Sequence, residues 1–130
     1  NRSNCKICKL YLEEVKEFTC SDGTIWQVKC HISCNSKNVV YYLLCNMCNK
    51  ESYIGKMNDL RKRTNVHISS CRNGNTENIF DKHVHNCGKI NKCLEEPYFK
   101  LYTMMSLKRE EGLLFHEARL QKKGLDTMNR

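Results

Sequence analysis

Cys5-Lys-Ile-Cys8 and Cys45-Asn-Met-Cys48 each place two thiols within a single turn of chain, and Cys30 and Cys34 repeat the pattern with one more residue between them. Cysteines two residues apart strain a mutual disulfide but suit two corners of one tetrahedral Zn²⁺. The 130-residue chain carries ten cysteines and five histidines, with one proline. Histidines lie among the thiols, so the pattern predicts metal sites in a reducing compartment rather than a secreted disulfide scaffold. A chain of this length forms one domain with a modest core, which metal closure would reinforce.

The first half-site opens a cysteine-rich lead over residues 1–38. Cys5, Cys8, Cys30 and Cys34 would complete a four-thiolate site, with Cys20 or His31 as alternatives to Cys30. A short helical segment is expected near 10–15. Ser21-Asp22-Gly23 reads as a turn between two strand-like pieces, the second with Trp26 and Val28 alternating against Ile25, Gln27 and Lys29.

Residues 39–67 hold the densest chemistry. A β-branched and aromatic run predicts a central strand over 39–45, with Tyr41, Leu43 and Cys45 on one face and Tyr42 and Leu44 on the other. Its hairpin partner is expected over 51–56, ending at Gly55. Asn58 or Asp59 caps a helix over 59–73 with Leu60, Thr64, His67, Ile68 and Cys71 on its inner face. Arg63 and His67 are i,i+4 neighbours at its edge, and Gly74 is the stop. Two tyrosines, an arginine and a histidine then share one neighbourhood, a grouping suited to phosphodiester chemistry.

Thr76 is the expected cap of a second helix over 77–85, which ends in His83-Val-His85-Asn-Cys87. His83 and Cys87 form the other half-site for Cys45 and Cys48, with His85 as the alternative to His83. Cys93 has no evident partner. A third strand is expected over 98–104, followed by a helix over 106–123 capped by Ser106. Glu117 falls on the apolar stripe of that helix, where a carboxylate is costly unless it is paired or holds a metal.

The formal charge is +8 and the pI about 9.0. That favours a polyanionic partner, nucleic acid before a membrane surface. No apolar run approaches the roughly 20 residues that cross a bilayer. The chain opens at Asn1, which predicts a piece of a longer polypeptide.

Val40-Tyr41, Tyr53-Ile54-Gly55, Leu60 with Arg63 and His67, Glu117 in a late helix and Asn129 near the end resemble, in that order, a GIY-YIG endonuclease domain. The resemblance is closest to the form in Penelope-like retroelements, where paired cysteines such as Cys45 and Cys48 fall between the two tyrosine motifs. It covers nearly the whole chain; Val39-Val40 stands in place of Gly-Ile, and Met57 where Thr is common. It implies an α+β fold: a small three-stranded antiparallel sheet flanked by helices over 39–130, behind a zinc-stabilised extension over 1–38. It implies a nuclear DNA endonuclease that nicks duplex target DNA to prime reverse transcription, fused to or working with a reverse transcriptase domain. Tyr41, rather than Tyr42, would be the general base. Tyr53 would assist it, Arg63 would bind phosphate oxygens, and His67 would orient or relay a proton. Asn129 would hold the base or a DNA strand, and Glu117 would hold one Mg²⁺ or Mn²⁺. The alternative is a catalytically silent zinc-bearing module that binds DNA or RNA within a larger polyprotein.

Overall fold

A computed structural model describes residues 5–29, 33–92 and 95–107. The chain runs through one π-helical turn (Ile7–Tyr11), then β1 (Glu17–Thr19), β2 (Ile25–Gln27), β3 (Lys37–Cys45) and β4 (Ser52–Asp59). α1 (Leu60–Asn73), α2 (Ile79–Ile90) and β5 (Phe99–Ser106) follow. The architecture is α+β. β3 is the middle of a three-stranded antiparallel sheet in the order β4–β3–β5, and β1 and β2 form a separate hairpin.

β3 is central because its sequence suits burial on both faces. Val39 to Leu43 are each at most 1% exposed. Val39, Tyr41, Leu43 and Cys45 point toward the helices and pack with Tyr53, Met57, Leu60, Ile68, Phe80, Val84, Phe99 and Leu101. Val40 and Tyr42 point the other way, into a smaller cluster with Phe18, Cys20, Ile54, Met104 and Leu107. The β1–β2 hairpin covers that second face. Trp26 Nε1 donates to the Met104 carbonyl at 2.9 Å, and the Ser21 N–H donates to Tyr42 Oη at 2.8 Å.

The N-terminal turn joins the first face at the β5 edge. Leu12 bridges Leu101 in parallel, the Tyr11 ring sits 4.7 Å from that of Phe99, and the Glu13 N–H donates to the Leu101 carbonyl. Glu96 Oε1 ties three parts of the chain together, accepting from Lys6 Nζ and Tyr11 Oη of the extension and from Arg72 Nη2 of α1.

α1 matches its expected bounds. The Asp59 carboxylate accepts from the Lys62 N–H, and the inner face is Leu60, Thr64, His67, Ile68 and Cys71. Gly74 ends the helix in the left-handed region at φ +73°, directly over the His85 ring, so a side chain there would be both strained and blocked.

Other boundaries differ. β4 does not end at Gly55: its ladder to β3 continues to Asp59, because Gly55 pairs in register with Tyr41. β3 begins at Lys37, and β5 runs through Ser106, so the strand extends beyond the expected 98–104. The first helical turn spans Ile7–Tyr11 rather than 10–15, built on the Cys5–Cys8 knuckle. α2 starts after Asn78, whose side chain accepts from the Asp81 N–H, so Asn78 and not Thr76 is the cap. It continues to Ile90, since no proline interrupts it and Gly88 is buried in the packing. The expected late helix, with Glu117, and Asn129 lie outside the described residues. Among the described residues no helix is long and apolar enough to cross a membrane.

Candidate functional site

Antiparallel pairing sets the two tyrosines. Tyr41 on β3 lies directly opposite Gly55 on β4, and Tyr53 is the diagonal neighbour two residues away on the same face. Their ring centroids are 5.7 Å apart. Both rings fold over Gly55: a Cβ there would lie 2.8 Å from Tyr53 Cε2, 2.9 Å from Tyr41 Oη and 3.0 Å from Tyr53 Oη. The glycine is required by this close approach. A register shift in the β3–β5 ladder falls between Val40 and Tyr41, where β5 carries one extra residue, Met104.

α1 brings the next member. Tyr41 Oη is 2.8 Å from His67 Nε2, and His67 Nδ1 is 2.9 Å and 3.1 Å from the two carboxylate oxygens of Asp81 on α2. Tyr41, His67 and Asp81 thus form one buried hydrogen-bonded chain across three elements. The Cys71 thiol also points at Asp81 Oδ1, at 3.7 Å. Arg63, one turn before His67, is half-buried and lies against both phenols.

Burial pushes the Tyr41 phenol well above its ordinary pKa, and Tyr53 pushes it the same way, while Arg63 opposes both. Burial likewise raises Tyr53, against the pull of Tyr41 and Arg63. Tyr53 Oη is buried and makes no hydrogen bond of standard geometry among the described residues. Such a hydroxyl costs about 1–3 kcal/mol unless a water or ligand oxygen meets it.

Two clusters can hold a metal ion. Cys45 at the end of β3, Cys48 in the following turn, and His83 and Cys87 one turn apart on α2 bring their ligand atoms within 4.8 Å of one another. Donors on one tetrahedral Zn²⁺ are separated by roughly 3.4–3.8 Å, so the set fits with small adjustment. The Cys48 Sγ to His83 Nε2 distance is 3.3 Å. The Lys50 and Glu51 N–H groups donate to Cys48 Sγ, the arrangement that orients a thiolate toward a metal. Burial opposes ionisation of Cys48, but these N–H groups with His83 and Cys45 outweigh it and bring the thiol down to about 7. Burial holds Cys45 up at about 11.

Cys5, Cys8 and Cys34 form the second cluster, also within 4.8 Å. Burial opposes ionisation of Cys5, yet the Cys8 and Ile7 N–H groups, with Cys34 and Cys8 thiols, lower it to about 7. Arg61 Nη2 of α1 donates to Cys34 Sγ at 2.9 Å.

No family model, curated protein or solved structure matches this chain.

Of the residues singled out from sequence, Tyr41, Tyr53, Arg63 and His67 come together, as do Cys45, Cys48, His83 and Cys87. Cys5, Cys8 and Cys34 also meet; Cys30 and His31, candidates for a fourth ligand there, lie outside the described residues, as does Cys93. Cys20 does not join them, because it packs on the opposite face of the sheet with Phe18 and Tyr42. His85 is not in the core cluster: its Nδ1 is 3.0 Å from the Cys71 carbonyl. Tyr42 is turned away from Tyr53 and His67, toward Ser21. Asp81 is the residue that sequence reasoning missed. The available signal was an acid on the apolar stripe of α2, next to Phe80 and one turn before Val84.

Proposed function

We propose that this chain is a GIY-YIG-type endonuclease that nicks duplex DNA by phosphodiester hydrolysis, in the manner of the Penelope-like retroelement enzymes. The observation that carries the reading is the Tyr41–His67 hydrogen bond beside Tyr53, Gly55 and Arg63. A tyrosine with a raised pKa cannot wait as phenolate, so it can act as base only by passing its proton on as it takes one from water. His67 Nε2, 2.8 Å away, supplies that acceptor. Arg63, the half-exposed member, favours negative charge on the phenols, and its guanidinium is the group there suited to bind phosphate oxygens. The Tyr53 phenol lies beside Tyr41 and Arg63 in the same cluster. The net charge of +8 suits a polyanionic substrate.

In this reading Glu117, outside the described residues, would hold one Mg²⁺ or Mn²⁺. When bound, such an ion would supply Lewis-acid stabilisation to the scissile phosphate and the leaving 3′ oxygen. Each of the two clusters takes a structural Zn²⁺. The product would be a nick that primes reverse transcription by a partner reverse transcriptase domain, in the nucleus.

A second reading draws on one observation. Tyr41 and Tyr53 are fully buried and His67 is 1% exposed, which equally suits a structural network in a catalytically silent zinc module that binds DNA or RNA. Nicking of supercoiled plasmid with Mg²⁺, then Mn²⁺, separates the two. The endonuclease relaxes plasmid, and Arg63→Ala and Glu117→Ala do not at equal zinc content. Parent protein that binds plasmid without cutting it in either metal establishes the silent module. Equal nicking by all three would remove Arg63 and Glu117 from the chemistry.

A further inference from the structure

Asp81 belongs to no sequence motif discussed above, yet it is the most deeply committed acid among the described residues. It is 2% exposed, and its two oxygens face one imidazole nitrogen of a histidine that is itself 1% exposed. We propose that Asp81 is the positioning residue that fixes His67 as the Nδ1–H tautomer, so that Nε2 offers its lone pair to the Tyr41 hydroxyl. The proposal rests on the nuclease reading for its consequence and on the hydrogen-bond chain for its geometry.

With the His67 ring neutral, the three groups have one consistent arrangement. A carboxylate only accepts, so the nitrogen facing it must donate. His67 Nδ1 therefore carries a hydrogen, and the neutral ring leaves Nε2 without one. Tyr41, kept as a phenol by burial, then donates across the 2.8 Å contact. When Tyr41 takes a proton from water, its own passes to Nε2 and the ring becomes imidazolium. A water O–H bond and the original Tyr41 O–H bond break as a new Tyr41 O–H and the His67 N–H form; the hydroxide adds to phosphorus as the bond to the 3′ oxygen breaks, with no change of oxidation state. The positive charge that appears lies beside both oxygens of Asp81.

The local structure holds Asp81 to this task. Its N–H is fixed by the Asn78 cap at 3.0 Å, at the start of α2. The Cys71 thiol points at the same Oδ1 that faces the ring, and Phe80, its neighbour in sequence, is 1% exposed beside Tyr53 and Phe99. Rotation of the carboxylate away from His67 would abandon both partners in an apolar surround.

The test is the ¹⁵N spectrum of His67, assigned by comparison with His67→Gln, together with the nicking kinetics of Asp81→Asn. In the parent, Nδ1 is expected as the protonated, pyrrole-type nitrogen and Nε2 as the bare, pyridine-type one. An asparagine can turn its amide N–H toward Nδ1 and move the hydrogen to Nε2, which then points a donor at Tyr41. Asp81→Asn should therefore shift the ring toward the Nε2–H form and lower kcat by about 10²- to 10⁴-fold, with KM little changed. A parent His67 protonated at Nε2 overturns the proposal, as does an Asp81→Asn protein with parental tautomer and kcat. If Asp81→Asn does not fold, the parent spectrum alone decides. Nicking by the parent tests the nuclease reading separately, and the spectrum speaks to Asp81 whether or not nicking is seen.

Discussion

Tyr41 Oη and His67 Nε2 lie 2.8 Å apart, so a side chain in the middle of the central strand and one two turns into α1 share a proton. Tyr41→Phe keeps the ring and removes only that oxygen. Nε2 loses its buried partner, which should cost about 1–3 kcal/mol of stability. Plasmid nicking should fall by about 10²- to 10⁴-fold, the usual contribution of a positioned acid or base. Parental nicking rates from a well-folded Tyr41→Phe protein would take Tyr41 out of the reaction.

The same phenol makes a prediction at alkaline pH. Its pKa is raised by burial, so the folded chain keeps Tyr41 protonated where an unfolded tyrosine, with an ordinary value near 10, begins to ionise. The stability this contributes is whole below pH 10 and is lost as pH climbs above it. The loss approaches about 1.4 kcal/mol per pH unit for this one group. Urea unfolding between pH 9 and 11.5 should therefore show a steeper decline for the parent than for Tyr41→Phe. Parallel declines would mean that Tyr41 ionises as easily folded as unfolded.

Gly55 offers a test whose sign is informative. Replacing a glycine inside an ordinary strand with alanine stiffens the unfolded chain and stabilises the fold. Here the added methyl would meet Tyr53 Cε2 at 2.8 Å and Tyr41 Oη at 2.9 Å. Gly55→Ala should instead destabilise by about 1–3 kcal/mol as the rings are forced apart, and nicking should fall with it. A rise in Tm would show that the two tyrosines have room to move.

Much of this arrangement was legible because it follows short-range rules. The alternation of Val39 to Cys45 fixed the two faces of β3, and the period of Leu60, Thr64, His67, Ile68 and Cys71 fixed the inner face of α1. Asp59 and Gly74 marked its ends by cap chemistry. The failures are equally physical. Thr76 and Asn78 are both plausible caps, and the packing of Phe80 on Tyr53 and Phe99 and of Asp81 on His67 of α1 goes with Asn78. Gly55 resembled a strand end because the close approach that requires it comes from Tyr41 on another strand. Asp81 was invisible for the same reason: its partner lies fourteen residues away on a different helix. The same local rule that drew notice to Glu117, an acid on an apolar stripe, applies to Asp81 and would have found it.

The two cysteine clusters should behave as separable zinc sites with unequal consequences. Protein purified without chelator should carry about two equivalents of zinc, one for each cluster. Cys48→Ser should lose about one equivalent and keep the other, and Cys34→Ser should do the converse. The core cluster joins the β3–β4 turn to α2, and α2 also carries Asp81. Its loss should free that helix and disturb the Tyr41–His67–Asp81 chain as well as stability. The extension cluster lies against Arg61 and the start of α1, away from Asp81. Metal binding of this kind contributes much of the folding free energy of small domains, so Cys48→Ser should lower Tm by more than about 10 °C. It should also move the His67 ¹⁵N signals, whereas Cys34→Ser should lower Tm while leaving them in place. Zinc content by elemental analysis, Tm and the His67 spectrum measured on the same three samples check each step. Unchanged zinc content in Cys48→Ser would mean that the core cluster is not a metal site.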